Sequence, residues 1–392
     1  MNIKEAKNLV IKAGIKLVES GLIARTWGNV SCRVDENTFV ITPSGRNYLS
    51  LTPDEIVEVN IADLSYKGNI KPSSEKGIHA EVYKLYPNIK FVIHTHQESA
   101  SVIGASELNS IEINGYHPSL DGKVLFARYA LPGTKSLRKN VAKSLMNSKT
   151  NAVIMKYHGA LCFGKDYDEA FMIASALEKA CDAFMVKHYL RLSKREKYNP
   201  LEMSTFALSQ SGEREPSSCD KIYFNSKRTE NGCVLYMDGE KIEVNYDNID
   251  SSLPEEVEIY KAIFTKNKNI NHILFNNSPE IRAISHKGIK LKPLLDDFAQ
   301  LVGRHVKNVE NNPRLISEAL KKSSVILVRN IGALCCGKTY DDAEAVSMVT
   351  QKASKALIGA SLLGKVKPIN PLECMLMRYV YLKKYSKKVL KE

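Results

Sequence analysis

The chain has 392 residues, of which 44% are hydrophobic and 25% are charged, and Lys and Arg exceed Asp and Glu by 13. This length predicts two or three domains, and the apolar fraction excludes a chain that is disordered throughout. No apolar run is long enough to cross a membrane. The basic residues are not interleaved with aromatic residues as in a nucleic-acid-binding motif, so the excess positive charge favours small anionic substrates such as phosphates.

Apolar periodicity gives the predicted elements in chain order. Helical spacing predicts helices at residues 3–20 and 76–86 and a long helix at 167–193. Short β-branched runs predict strands at 39–42, 91–96 and 152–158. Because strands alternate with helices, we expect layered α/β domains.

An internal repeat runs through the chain. The segment GALCFGKDYDEA at 159–170 recurs as GALCCGKTYDDA at 332–343, with nine of twelve positions identical. The sequence NPLE at 199–202 recurs at 370–373. Repeats in the same order indicate a tandem duplication.

The repeats also predict the domain boundaries. Around 203–220 the sequence turns polar and loses its periodicity, as a linker does. We therefore assign a first domain to residues 1–203, a linker to 204–219 and a second domain to 220–392.

Cysteine usage predicts the compartment. The eight cysteines lie far apart without a C-x-x-C pair, which is typical of reduced thiols in a cytoplasmic protein. Residues 1–14 carry interleaved charges in place of the apolar stretch of a signal peptide, in agreement with that prediction. We do not expect the cysteines to be metal ligands.

Three histidines are placed to share a metal ion. His94 and His96 end an apolar strand, and side chains at i and i+2 face the same way. His158 ends a second apolar run and is followed by Gly159. Three neutral imidazoles suit Zn²⁺ and leave one position for a carboxylate, water or substrate. The spacing alone is also compatible with ordinary strand-end histidines, one in the core and one exposed.

Three turns carry groups that can bind an anion. Ser73 and Ser74 precede the helix predicted at 76–86, where hydroxyls and free N–H groups meet the positive end of the helix dipole. The turns Gly-Asn at 28–29 and Thr-Pro-Ser-Gly at 42–45 offer similar donors. Plain helix capping and ordinary turns are the alternative interpretation.

A different phosphate motif is rejected. Residues 332–339, GALCCGKT, fit the G-x-x-x-x-G-K-T phosphate loop. Their loop positions are apolar, which is typical of a buried strand, and the sister copy has Asp166 in place of the final Thr. No apolar strand ending in Asp convincingly completes a Mg²⁺ site.

Taken together, the motifs resemble the class II aldolase/adducin family, whose members include L-fuculose-1-phosphate aldolase. Five motifs follow that family's order and approximate spacing: GNVS (28–31), TPSG (42–45), SSE (73–75), HTH (94–96) and HG (158–159). The resemblance covers about residues 1–200 and is faint in the second half. It implies a three-layer α/β/α domain with a mostly antiparallel central sheet, duplicated in tandem here, and a homo-oligomer with sites at subunit interfaces.

The resemblance also implies the site residues. Zn²⁺ would be held by His94, His96, His158 and Glu75, although Mn²⁺, Fe²⁺ or Co²⁺ suit the same ligands. The phosphate of a sugar substrate would lie among Gly28, Asn29, Ser44, Gly45, Ser73 and Ser74. Glu75 would leave the metal and act as general acid/base. Tyr116, in the loop after the H-x-H strand, would protonate an aldehyde oxygen.

The reaction so implied is aldol cleavage of a ketose 1-phosphate to dihydroxyacetone phosphate and an aldehyde, through an enediolate whose charge the metal stabilises. Two alternatives stay open. Pentulose-phosphate 4-epimerases and methylthioribulose-phosphate dehydratases use the same chemistry, and adducin-like members keep the fold as a non-catalytic scaffold.

The second half is predicted to lack a metal. The positions of His94, His96 and His158 fall on Phe275, Asn277 and Ile331, and that of Glu75 falls near Ser252. We expect this half to replace a neighbouring subunit, supplying packing and one wall of the first half's site.

Overall fold

The computed structural model describes residues 1–23, 27–194, 200–211, 223–237, 239–250, 252–304 and 306–384. The chain separates into two compact units, the first built chiefly from Met1–Leu192 and the second chiefly from Ser193–Leu362 with Pro368–Lys383. Each unit contains one β-sheet, so the predicted duplication is confirmed. No helix in the described part of the chain is both long and apolar enough to cross a membrane.

The first unit alternates strands and helices as predicted. Its strands are β1 (Asn29–Arg33), β2 (Thr38–Ile41), β3 (Val57–Asn60), β4 (Phe91–Thr95), β5 (Ser110–Ile113), β6 (Gly122–Ala127), β7 (Ala152–Met155) and β8 (Gly159–Gly164). Its helices are α1 (Ile3–Glu19), α2 (Lys76–Leu85), α3 (Glu98–Gly104), α4 (Lys135–Met146) and α5 (Tyr167–Ser193). The strand predicted at 152–158 ends earlier, at Met155, because the chain turns there towards β8.

The first sheet has the strand order β3-β2-β1-β4-β8-β7-β6-β5. Neighbouring strands are antiparallel except for β6 and β7, which are parallel. The predicted, mostly antiparallel sheet is therefore confirmed.

Helices cover both faces of this sheet and complete the three layers. Helices α2 and α4 bury side chains such as Ile78 and Val141 in one apolar core with Val92 of β4. Helix α1 packs on β1 and β2, and α3 packs on β7 and β8. Because side chains alternate along a strand, Val92 faces α2 while its neighbour Ile93 faces the opposite layer.

The second unit repeats this architecture. Its strands are β9 (Asn225–Arg228), β10 (Gly232–Met237), β11 (Glu240–Asn245), β12 (His272–Asn276), β13 (Asn308–Val309), β14 (Val325–Val328) and β15 (Gly332–Gly337). Its helices are α6 (Pro200–Ser211), α7 (Val257–Lys266), α8 (Pro279–His286), α9 (Asp296–Leu301), α10 (Pro313–Ala319), α11 (Tyr340–Leu362) and α12 (Pro371–Lys384). The order β11-β10-β9-β12-β15-β14-β13 matches the first sheet, except that no described strand takes the place of β5.

Two details of the second unit bear on the sequence predictions. The GALCCGKT segment begins with β15, which is buried along its whole length, as the rejection of a phosphate loop requires. The predicted linker is wrong for residues 204–211, because they belong to α6, which packs against α8 and α11 with Thr205, Phe206 and Ser209 buried. The remainder of that predicted linker, 212–219, lies outside the described residues.

The described cysteines form no disulfide. Seven are free and buried, in agreement with the prediction of reduced thiols: Cys32, Cys162, Cys181, Cys233, Cys335, Cys336 and Cys374. Cys219 lies outside the described residues.

A buried ion pair joins α9 to α11 in the second unit. The Lys352 amine lies 2.8 Å from Asp297 Oδ2, with both side chains at most 9% exposed. We expect Lys352→Ala to lower the free energy of unfolding by about 3–5 kcal/mol, because it leaves a buried carboxylate without its cation. Lys321→Ala, which removes one of the two exposed lysine partners of Glu318, should cost less than ~1 kcal/mol. Urea unfolding measures both, and equal losses would contradict the prediction.

Candidate metal centre

The three predicted histidines meet at one edge of the first sheet. Strand β4 ends with Thr95 opposite Ala160, and β7 ends with Met155 opposite Gly159 at the start of β8. His94 and His96 therefore come to the same edge as His158, which lies in the turn from β7 to β8. Their ring centroids are 4.7–4.8 Å apart, and one ligand nitrogen from each lies within 4.8 Å of the others.

Glu75 completes the cluster from the start of α2. Its Oε1 lies 2.9 Å from His158 Nε2, and its Oε2 lies 3.2 Å from His94 Nε2. Glu75 and the three histidines are at most 8% exposed. The structure thus brings together all four residues predicted to hold a metal.

The hydrogen bonding of His94 shows that the cluster fits a cation. His94 Nδ1 lies 2.9 Å from the Ala160 carbonyl oxygen, which can only accept, so Nδ1 carries the proton. The lone pair on Nε2 then faces His96 Nε2 at 3.1 Å and the Glu75 carboxylate. Such electron-rich atoms repel one another unless a proton or a metal ion lies between them, and a carbonyl behind the ring is a usual support for a metal-ligating histidine.

The Glu75 carboxylate is charged at neutral pH. Burial alone would raise the pKa of this carboxyl group, but its interactions with His158 and His94 outweigh burial and hold the pKa well below its usual range. An ionised carboxylate beside three imidazoles is the donor set that binds divalent transition metals in proteins.

Two close backbone approaches position the ligands. A Cβ on Gly159 would lie 2.1 Å from the Thr95 carbonyl oxygen and 3.3 Å from His94 Cε1, so only glycine fits beside His158. Gly28 has a left-handed φ of 119° and lies against the His94 carbonyl oxygen, which a Cβ would approach to 2.7 Å. Both turns therefore require glycine for steric reasons.

A chain of hydrogen bonds leads from Glu75 into the core. Asn29 Nδ2 donates to Glu75 Oε2 at 3.0 Å, and Asn29 Oδ1 lies 2.5 Å from His79 Nε2. His79 Nδ1 lies 2.7 Å from Ser31 Oγ, which is 2.7 Å from the hydroxyl of Tyr83. Every member is buried. His79 belongs to none of the sequence motifs, although its spacing of four residues from Glu75 places both on one side of a helix.

The residues predicted to bind phosphate gather around the first turn of α2. The Ser73 amide donates to the Thr42 carbonyl oxygen at 3.1 Å, and the Ser44 amide donates to the Lys71 carbonyl oxygen at 2.9 Å. These bonds join the 42–45 turn, which includes Gly45, to the 71–74 segment, which includes Ser74. The turn with Gly28 and Asn29 lies in the same region, because the Asn29 side chain donates a hydrogen bond to Glu75 at the start of α2. Their phosphate-binding role stays a prediction.

Tyr116 lies apart from these residues. It is 43% exposed in the loop from β5 to β6. This loop precedes Gly122, whereas the histidines lie beyond the other end of β6 and β7. The six residues of β6 separate the two ends by about 20 Å at roughly 3.3 Å per residue. Within one chain, Tyr116 therefore does not reach the cluster.

The second unit has no imidazoles at the corresponding positions. The pairing of β12 with β15 places Phe275 and Asn277 where β4 carries His94 and His96, as the sequence predicted. Phe275 packs against Tyr223 with ring centroids 5.7 Å apart, and Ile331 joins the same apolar core.

The predicted counterpart of Glu75 needs correction. Helix α7 ends at Lys266, six residues before β12, just as α2 ends at Leu85, six residues before β4. Glu256, directly before α7, therefore corresponds to Glu75, rather than a residue near Ser252. The loop before the helix differs in length between the two halves, which shifted the sequence alignment.

Comparison with known proteins identifies the family. Residues 8–185 and 218–358 match the family described as the class II aldolase and adducin N-terminal domain. The chain belongs to this family, and both halves derive from the same domain.

Individual relatives match one half of the chain. A methylthioribulose-1-phosphate dehydratase of Yersinia enterocolitica is 30% identical over 171 residues, which are 41% of this chain and 81% of that protein. An L-fuculose 1-phosphate aldolase structure is 28% identical, with 53% of this chain and 96% of that chain covered and a TM-score of 0.44. An L-fuculose-1-phosphate aldolase of Thermus thermophilus is 24% identical, with 49% and 98% covered and a TM-score of 0.40.

The buried His79 predicts a pH dependence of stability. Burial is the main cause that lowers the pKa of His79 to about 3, with the neighbouring His94 as a second cause, whereas histidine in an unfolded chain titrates near ~6.5. Between these values the unfolded state binds the extra proton, so stability is full above pH ~6.5 and falls as the pH drops towards 3.

We expect His79 to contribute up to ~1.4 kcal/mol per pH unit to this loss. In the metal-free protein, His79→Gln should make the free energy of unfolding fall less steeply between pH 7 and 4. Urea unfolding at several pH values measures the slopes, and identical slopes for parent and variant would contradict a neutral buried His79.

Proposed function

We propose that the first half of this chain is a metal-dependent lyase acting on a phosphorylated ketose, and that its reaction is aldol cleavage of a ketose 1-phosphate. The observation that carries this proposal is the buried cluster of His94, His96 and His158 with Glu75 against two of the rings.

The ion that best suits this donor set is Zn²⁺, held by the three imidazoles and Glu75. When bound, it would act as a Lewis acid and stabilise negative charge on the substrate's oxygens. The His94 ring is kept in the required tautomer by the Ala160 carbonyl oxygen.

The first turn of α2 would bind the substrate's phosphate. Ser73, Ser74 and the 42–45 turn supply hydroxyls and amides beside the N-terminal end of the helix, where an anion is stabilised. This region adjoins Glu75, so a phosphate bound there would direct the sugar's carbonyl end towards the cluster. The chain's excess of basic residues favours an anionic substrate as well.

Glu75 would carry the proton. In the cleavage direction, the hydroxyl on carbon 4 loses its proton, the bond between carbons 3 and 4 breaks, and its electron pair stays with the phosphorylated fragment. A proton then returns to carbon 3 and yields dihydroxyacetone phosphate. Glu75 is an ionised carboxylate within the cluster, so it can accept a proton and deliver it to that carbon.

In the reverse, bond-forming direction, a proton donor for the aldehyde oxygen is required. Tyr116 takes this part in the family's implied mechanism, but its loop lies about 20 Å from the cluster in its own chain, the length of β6. We therefore propose a homo-oligomer in which the loop of a second copy supplies Tyr116.

Dehydration is the second candidate reaction, because the dehydratase relative from Yersinia enterocolitica is 30% identical and is covered over 81% of its length. In that reaction the carboxylate would remove a proton from the carbon beside the carbonyl, and a hydroxyl would leave from the next carbon. The phosphate and metal ligands would be the same.

Metal removal and one substitution test the proposal. The protein freed of metal with a chelator should not turn over ketose 1-phosphates, and added zinc should restore turnover. Glu75→Gln should lower kcat by about 10²–10⁴-fold because it removes the proton carrier. Glu112→Gln, at an exposed position of β5, is the matched control and should leave kcat unchanged.

The products distinguish the reactions. Dihydroxyacetone phosphate plus an aldehyde supports aldol cleavage, whereas a dehydrated sugar phosphate assigns the second candidate. Zinc-independent activity, or full activity of Glu75→Gln, would contradict the proposed mechanism. Bound zinc without turnover of a panel of phosphorylated ketoses would favour a scaffold.

A further inference from the structure

The hydrogen-bond chain behind Glu75 has a fixed direction. Asn29 Nδ2 donates to Glu75 Oε2 at 3.0 Å, so the NH₂ group of Asn29 faces the carboxylate. The carbonyl oxygen of Asn29 then faces His79 Nε2 and needs a donor there. His79 must therefore carry its proton on Nε2.

The deeper partners are consistent with this tautomer. A neutral imidazole protonated on Nε2 has an acceptor at Nδ1, and Ser31 Oγ lies 2.7 Å from it. When Ser31 donates to His79, its oxygen is left to accept from Tyr83, whose hydroxyl is also 2.7 Å away. With this tautomer, every hydrogen bond between Tyr83 and Glu75 joins one donor to one acceptor. All of the donors then point towards Glu75.

The second unit provides an internal comparison. Tyr260 occupies the position of His79, four residues after the glutamate that precedes the helix, and Phe224 occupies that of Asn29. The Tyr260 hydroxyl bonds to the backbone of Phe224, at 2.5 Å from its nitrogen and 2.8 Å from its oxygen. The unit that lacks the three imidazoles has therefore also lost the His–Asn pair, although it keeps a glutamate, Glu256, at the helix start.

We propose that His79 is a positioning residue for the metal centre, which holds the Asn29 amide so that its NH₂ group is directed at Glu75. Without a donor at this place, the amide can turn by 180° and present its oxygen to the carboxylate. The two oxygens then repel each other and Glu75 is pushed from its place between His94 and His158. This inference rests on the proposed function, since it assumes that Glu75 ligates a metal.

Metal affinity tests the proposal, because it can be read without any substrate. His79→Leu removes the donor and should weaken zinc binding, measured by competition with a chromophoric chelator, by about 10–100-fold. His79→Gln places an amide NH₂ close to the original Nε2 and should stay within a few-fold of the parent. Asn29→Leu should weaken binding similarly, and adding His79→Leu to it should have little further effect, because the two residues act through one hydrogen bond.

The nitrogen chemical shifts of the imidazoles in the metal-free parent protein give a second test. This test does not depend on whether any variant folds. The expected result is a neutral His79 with its proton on Nε2. Protonation on Nδ1 would overturn the proposal even if His79→Leu fails to fold.

The outcomes separate this inference from the proposed function. A parent that binds zinc while a folded His79→Leu binds it equally well overturns the positioning role alone. Independent, additive losses from His79→Leu and Asn29→Leu do the same. A parent that binds no divalent ion overturns the proposed function, and with it the centre that His79 would serve.

Discussion

The structure of the first half depends on holding four electron-rich side chains together at one buried edge. His94 Nε2 faces both His96 Nε2 and a charged carboxylate at distances of 3.1 and 3.2 Å. In water these groups would separate. Here the sheet, the glycine turn at Gly159 and the first turn of α2 hold them in place, and burial makes their mutual repulsion strong unless a cation relieves it. A bound cation would therefore stabilise this site.

Comparison of the two units separates the features that the fold needs from those that belong to the histidine cluster. Both units keep the strand order, the helix before the fourth strand and the left-handed residue before the GALC strand, Tyr157 in one unit and Asn330 in the other. Only the first unit places imidazoles on this frame. In the second, Phe275 and Ile331 fill the corresponding space as part of an apolar core. The fold is thus stable with or without the polar cluster, so we attribute the cluster to function rather than to folding.

Much of this could be predicted from the sequence, because its signals are local. His94 and His96 stand at strand spacing, Gly159 directly follows His158, and the GALC repeat exposed the duplication. The missed features depend on contacts between distant segments. The bond from Asn29 to His79 joins residues 50 positions apart, and the remoteness of Tyr116 follows from the sheet order, which no local pattern encodes. Helix α6 was missed because two of the three residues that it is seen to bury, Thr205 and Ser209, are polar.

X-ray absorption at the zinc edge of the zinc-loaded protein reports which side chains hold the metal. We expect three imidazole nitrogens and one or more oxygens at about 2.0–2.2 Å from the metal, with no sulfur. A sulfur shell at about 2.3 Å, or fewer than three imidazoles, would place the ion elsewhere and contradict the assignment of this cluster as the metal centre.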